Sequence, residues 1–328
     1  MQPTSPAEFQ ASETGGLPDP AWVTPDTLVV ALPMPQNSVP YTLCYVLVDS
    51  VGRGHVLDPG VGDPHNLAVL FEAMRSSGVE TVASVASTHL HPDHLGLVDR
   101  IRAETGARSA MGAVEWDALV ALRDHPHGPE EAFARWGVPR GEQPELPPSR
   151  DSGLEGVEPP DVLVADGDLL DIPGRSIRAV VTPGHTAGHL CLRDETQGLF
   201  FSGDHVLPTV FPGLGLGGRT TDSPIGEYLA QLTRVAAFDA DEVCPGHGYR
   251  FRGLADRCER TRAHHLKRSA EVAALLADCA DASVWRIASM VRWTAGWDNL
   301  SGFLRYSALA QTEMHVQHLL SDGAAKNS

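Results

Sequence analysis

The chain has 328 residues, 42% of them apolar, and a formal net charge of −17 with histidine neutral. That is enough apolar material for one large α/β domain with an appendage. The acidic balance argues against nucleic acid or an anionic membrane surface as a partner, and no Lys/Arg run exceeds two residues. The cysteines, Cys44, Cys191, Cys244, Cys258 and Cys279, are odd in number and widely spaced, with no CxxC pair. They read as inert buried thiols of a reducing compartment rather than a disulfide framework. The N-terminus has neither a charged nor an apolar leader region, and no window approaches the roughly 18 apolar residues of a membrane span. A cytoplasmic protein is expected.

Residues 1–20, rich in Pro, Gly, Ser and Thr, read as a flexible tail. Runs 27–34 (TLVVALPM), 41–49 (YTLCYVLVD) and 54–60 (GHVLDPG) are strand-like. Residues 64–78 open on Pro64, space apolar residues by three and four, and stop at Gly78, which predicts a helix. Residues 81–88 (TVASVAST) predict a buried strand, and 97–106 a short helix ending on Gly106. Residues 112–137 read as helical and 138–160 as a Pro/Gly-dense loop, so about 112–160 is a helical insertion. Strand-like runs return at 162–168, 176–184, 189–195 and 198–204, a helix at 224–238, and a strand and turn at 241–248. Beyond about residue 252 helix patterns dominate. The expected parts are the tail 1–20, a catalytic unit 21–252 and a helical module 253–328.

The strand at 81–88 runs straight into the stretch STHLHPDHLG, residues 87–96. In extended backbone residues i and i+2 face the same side, so His89 and His91 aim two imidazoles into one space. Pro92 breaks the pairing and turns the chain, and Asp93 and His94 follow on that turn. One segment can thus present two ligand sets in two directions. Later candidates each follow an apolar run: His185 in TPGHTAGH (182–189), Asp204 in FSGD (201–204) and His247 in CPGHG (244–248). Strand ends converging on one sheet edge are where α/β proteins place their sites.

THLHPDH, followed in order by GHTAGH, SGD and PGHG, resembles the metallo-β-lactamase superfamily over roughly residues 25–250. The resemblance implies a four-layer αββα sandwich with its site on one edge of the two sheets. It implies a first metal on His89, His91 and His185, a second on Asp93, His94 and His247, and Asp204 bridging both. Such donors suit Zn(II), the default, but also Fe or Mn, with two ions per chain expected. Two such ions share a hydroxide that attacks a carbonyl or phosphoryl centre at neutral pH, with Asp93 or Asp204 receiving the proton. Asp58 in VLDPG matches a position from which this family supports a metal-bound histidine.

The remaining chemistry-bearing residues divide between functional and packing roles. His205, next to Asp204, is a candidate substrate contact. His189 reads as a structural hydrogen-bonding residue, His264 and His265 as packed or solvated, and His125 and His127 as loop histidines. Residues 207–221 read as a flexible loop beside the metal edge, without the Lys-Ser/Thr ending of a phosphate loop. Trp116, Phe133, Trp136 and Phe211 form either an apolar wall over the site or the packing of the inserted helices. Residues 256–321 are similar to the helical, winged-helix-like appendage of the lactamase-β-2-like hydrolases, with any wing short or missing. Pocket wall, homodimer interface and stabilising cap are the roles open to it.

The expected reaction is two-metal hydrolysis of a carbonyl substrate by a metal-bound hydroxide. The acidic charge and aromatic insertion favour a small-molecule or acyl substrate, a thioester or a lactone/ester. An endoribonuclease or phosphodiesterase is the alternative that would want a basic groove, built from Arg257, Arg260, Arg262, Lys267 and Arg268. A mononuclear iron persulfide dioxygenase would use only the first ligand set, and a metal-binding scaffold would hold metal without turnover. β-Lactam cleavage is disfavoured, since antibiotic-degrading members are typically exported and this sequence shows no export signal.

Overall fold

A computed structural model describes residues 1–326 apart from 35–38, 125–128, 147–153, 155, 217–222, 239, 241 and 280. The chain opens with β1 (Gln2–Pro3) and α1 (Pro6–Thr14), followed by β2 (Ala21–Thr24), β3 (Thr27–Pro33), β4 (Tyr41–Val48) and β5 (Gly54–Leu57). α2 (Pro64–Ser76) crosses to β6 (Val82–Ala86), and α3 (Pro92–Leu95) with α4 (Val98–Thr105) crosses to β7 (Arg108–Gly112). α5 (Ala113–Asp124) and α6 (Pro129–Trp136) precede β8 (Val162–Val164). β2 to β8 form a seven-stranded sheet in chain order, antiparallel up to β5 and parallel from β5 to β8. A second sheet has the order β1-β13-β12-β11-β10-β9, built from β9 (Ile177–Val181), β10 (Leu190–Asp194), β11 (Leu199–Gly203), β12 (Glu242–Pro245) and β13 (Phe251–Arg252). α7 (Pro224–Ala236) connects β11 to β12, and α8 (Leu254–Asp278), α9 (Val284–Met290) and α10 (Gly302–Lys326) complete the chain.

The strands are apolar on both faces because both faces are covered. On β3, Leu28, Val30 and Leu32 meet Leu67, Leu70 and Met74 of α2, Ile101 of α4 and Leu119 of α5. The alternate residues Val29 and Ala31 join Tyr45, Leu47, Leu192 and Phe201 between the sheets. The outer face of the second sheet, Val180, Cys191, Phe200 and Val243, is covered by Tyr228 and Leu232 of α7, Cys258 of α8 and Leu309 of α10. Strand alternation of period two and helix stripes of period 3.6 thus produce the expected αββα layers.

Two expectations need correction, the loose tail at 1–20 and the burial of all five cysteines, and two open ones are narrowed. Residues 1–20 are not a loose tail. Ser5 Oγ accepts from Glu8 N and Pro6 opens α1, so the Ser/Pro composition marks a capped helix start. Glu8, 2% exposed, accepts from Arg250 N and Nε at 2.9 and 2.8 Å, and β1 pairs with β13. The C-terminal module is helical, and among the described residues from 253 onwards there is no strand, in keeping with a wing that is short or missing. The four aromatic residues do not make one wall over the site. Trp116 packs on the first helical layer, Phe133 and Trp136 lie in the core beside Tyr306 of α10, and Phe211 stacks on His264 at 3.9 Å. Of the free cysteines four are buried as expected, but Cys279 is exposed at the end of α8. His125 and His127 lie outside the described residues.

The turn after β5 packs on the histidine loop at Gly96. A methyl group there would lie 2.4 Å from Gly62 N and Pro92 O and 2.9 Å from Gly60 O, all backbone atoms that cannot rotate away. Gly96→Ala is therefore expected to cost on the order of 3 kcal/mol, an overpacking penalty, in a denaturant melt of the metal-free protein. An unchanged midpoint would contradict this packing.

Candidate metal centre

Five loops meet at one edge of the sandwich, each after the C-terminal end of a strand. β5 leads to Asp58, β6 to His89–His94, β9 to His185, β11 to Asp204 and β12 to His247. The expected ligands thus come together from both sheets.

In the first set, His89 Nε2 lies 2.9 Å from His91 Nδ1, which lies 3.1 Å from His185 Nε2. Each ring is engaged on its far side. His91 Nε2 donates to Leu216 O at 3.0 Å, His185 Nδ1 to Gly213 O at 2.6 Å, and His89 Nδ1 to Thr88 Oγ1 at 3.0 Å. Those acceptors fix the tautomers, leaving three bare nitrogens pointing at one space. Burial holds His89 well below its ordinary value, with the rings of His94 and His91 adding to the effect. Burial, with His185, pushes His91 down to about 3, and burial also lowers His185. Neutral imidazoles are the form that ligates a metal.

The second set is His94 Nε2, 3.2 Å from His247 Nε2, with Asp93 Oδ2 3.3 Å from His247 Nε2. His247 Nδ1 donates to Tyr41 O at 2.8 Å, and His94 Nδ1 lies 2.9 Å from Asp58 Oδ2. Asp204 stands between the sets. Its Oδ1 is 3.5 Å from both His94 and His247 Nε2, and its Oδ2 is 3.6 Å from His185 Nε2. Oδ1 is buried without a hydrogen-bond partner. An orphaned carboxylate oxygen facing converged ring nitrogens fits a cation between them. Gly246 leaves the room: a Cβ there would sit 2.6 Å from His94 Cε1 and 2.7 Å from Asp204 Oδ1. Burial would lower His94 and His247, but the carboxylates of Asp58, Asp204 and Asp93 outweigh it and raise both.

Asp58 sits where it can hold this arrangement. It accepts from Thr88 N at 2.7 Å and Thr88 Oγ1 at 2.9 Å as well as facing His94. Among the described residues it alone of the non-glycines has positive φ, at 54°. Such strain persists where surrounding bonds over-determine it. His189 plays the structural part expected of it: its Nε2 accepts from Asp204 N at 3.1 Å and its Nδ1 faces Thr182 Oγ1 at 2.9 Å. His205 is 0% exposed, with its ring 4.9 Å from Tyr228, so the geometry gives no support to the expected substrate contact.

One residue had no signal in the sequence. Glu115, in the first turn of α5, is 0% exposed and accepts from Leu90 N at 2.8 Å and Gly188 N at 2.6 Å. Burial pushes its carboxyl up to about 7 against those hydrogen bonds. A first-turn acid ordinarily faces water, and nothing local distinguishes this one.

The layered α/β fold and its converging His/Asp sets define a metallohydrolase. Residues 38–247 match the metallo-beta-lactamase superfamily, and the chain belongs to it. It is a metal-dependent hydrolase of that superfamily. A beta-lactamase-like protein 2 homolog from Caenorhabditis elegans is 23% identical over 269 residues, covering 81% of this chain and 75% of that protein. An atrochrysone carboxyl ACP thioesterase from Aspergillus terreus is 24% identical over 245 residues, 74% of this chain and 61% of that one. A solved metallo-beta-lactamase family protein from Thermus thermophilus superposes with a TM-score of 0.75 at 26% identity, covering 92% of this chain and 96% of that one. No helix among the described residues is long and apolar enough to cross a membrane.

Two outcomes are expected. Asp58→Ala should weaken metal binding by about 10–100-fold in a chelator competition, the usual effect of losing a ligand's hydrogen-bond partner. Metal at His94 and His247 must displace protons that the carboxylates hold there, while the first set is already neutral. Lowering the pH from about 8 to about 6 should therefore weaken the second position more than the first. Equal slopes for the two positions would contradict that assignment.

Proposed function

We propose that this chain is a dinuclear zinc hydrolase of acyl carbonyl substrates, a thioester first and a lactone or ester second. The observation that carries the proposal is the position of Asp204, with one oxygen toward each histidine set. His89, His91 and His185 would hold the first ion, Asp93, His94 and His247 the second, and Asp204 would bridge them. Bound there, the ions would supply a nucleophile at neutral pH and polarise the carbonyl. The chain supplies the positioning and the proton path. Asp93 is the more open carboxylate, 21% exposed against 11% for Asp204. Its Oδ2 would receive the proton as the carbonyl is attacked and return it to the leaving thiol or alcohol. The relative named as an ACP thioesterase supports the thioester reading.

The cations of α8 disfavour a nuclease. Arg257 is 5% exposed and donates to Leu207 O and Val210 O. Arg260 pairs with Asp256, Arg262 with Glu259, and Arg268 with Glu271. These groups are committed to the protein rather than arrayed as a phosphate groove. The complete second set disfavours a mononuclear oxygenase.

The test is a hydrolysis panel of acyl thioesters, lactones, a bis-aryl phosphodiester and a short RNA, on zinc-loaded protein with Asp93→Ala as blank. Thioester or lactone turnover is expected, with Asp93→Ala and His185→Ala each losing metal and at least about 100-fold in rate. Turnover of RNA alone, or full activity in Asp93→Ala, would overturn the proposal. So would iron bound at one ion per chain.

A further inference from the structure

We infer that Glu115 is a positioning residue for the first metal position, a clip that fixes two ligand loops from different sheets. The inference rests on the two-position reading above and goes beyond it. Leu90, which donates to Oε1, lies between His89 and His91 on the loop after β6. Gly188, which donates to Oε2, lies three residues after His185 on the loop after β9. One carboxylate therefore joins the backbones that carry all three histidines of the first set. The approach is close: a Cβ on Gly188 would lie 2.2 Å from Glu115 N and 2.6 Å from Val114 C.

The second position has other supports. Asp58 faces His94, and Tyr41 O accepts from His247. Asp58 and Glu115 thus hold the histidine loop at two points, Thr88 and Leu90; Asp58 reaches His94 directly and His89 through Thr88 Oγ1, whereas Glu115 alone of the two also holds the loop that carries His185. Leu190 N donates to Thr88 O at 2.8 Å and keeps the two loops joined at their base, so losing the Glu115 clip leaves unset only the separation beyond it, between Leu90 and Gly188. Convergence of His89 and His91 on His185 depends on that separation, whereas the pairing of His94 with His247 does not.

A merely structural Glu115 would weaken both positions alike, so the experiment separates them. Asp93→Ala/His247→Ala leaves only the first set complete, and His91→Ala/His185→Ala only the second. Glu115→Gln is placed in each background, and zinc affinity is read by competition with a chromogenic chelator. Gln keeps the volume but turns one acceptor oxygen into an NH2 facing an N–H. Zinc affinity should fall about tenfold or more in the first background and stay within about twofold in the second. Equal losses in both, or no loss in the first, overturn this inference alone. Failure of the wild-type chain to bind two zinc ions overturns the two-position reading and this inference with it. If Glu115→Gln does not fold, Glu115→Asp, which keeps the carboxyl group but is too short to span both N–H groups, is read the same way.

Discussion

The site depends on one electrostatic constraint. In the first set, buried ring nitrogens point their lone pairs at one another because each far-side nitrogen already has a partner. His89, His91 and His185 cannot relieve this by rotating without breaking bonds to Thr88 Oγ1, Leu216 O and Gly213 O. Lone pairs at about 3 Å repel one another unless a cation or proton lies between them. In the second set the carboxylates draw protons to fill that gap, and in the first set burial forbids it. The protein thus holds a concentrated electron-donor pair of sites in which a metal ion is the natural complement.

The surrounding fold explains how such a cluster stays in place. The carbonyls that orient His91 and His185 belong to residues 213–216, and this segment is backed by α10. A Cβ on Gly215 would meet Met314 Cε at 2.4 Å, and Met314 is 4% exposed. The α6 segment is tied to the same helix by the Arg135–Glu313 pair at 2.7 Å and by Trp136 against Tyr306. The C-terminal helices are therefore part of the frame behind the first ligand set. Closing β1 onto β13 through Glu8 and Arg250 steadies the strand edge that follows His247.

The convergence of the candidate ligands was legible in the sequence because each follows an apolar strand run, and a strand end is a local pattern. The same holds for α2, α4 and α7, whose caps and apolar spacing sit in neighbouring residues. What escaped was everything completed at a distance. Glu8 gains its meaning from Arg250, 242 residues away, and Glu115 from Gly188, 73 residues away. β7 is a five-residue strand, RSAMG, with too few apolar residues to stand out between two helices. Phe133 and Trp136 showed helical spacing, but the sequence did not reveal that Tyr306 completes their packing.

The most direct measurement is the anomalous scattering of zinc-loaded crystals. Two peaks per chain, roughly 3.5–4 Å apart, are expected. One should be enclosed by His89, His91 and His185, the other by Asp93, His94 and His247, with Asp204 between them. A single peak, or two peaks of which neither touches Asp204, would contradict it.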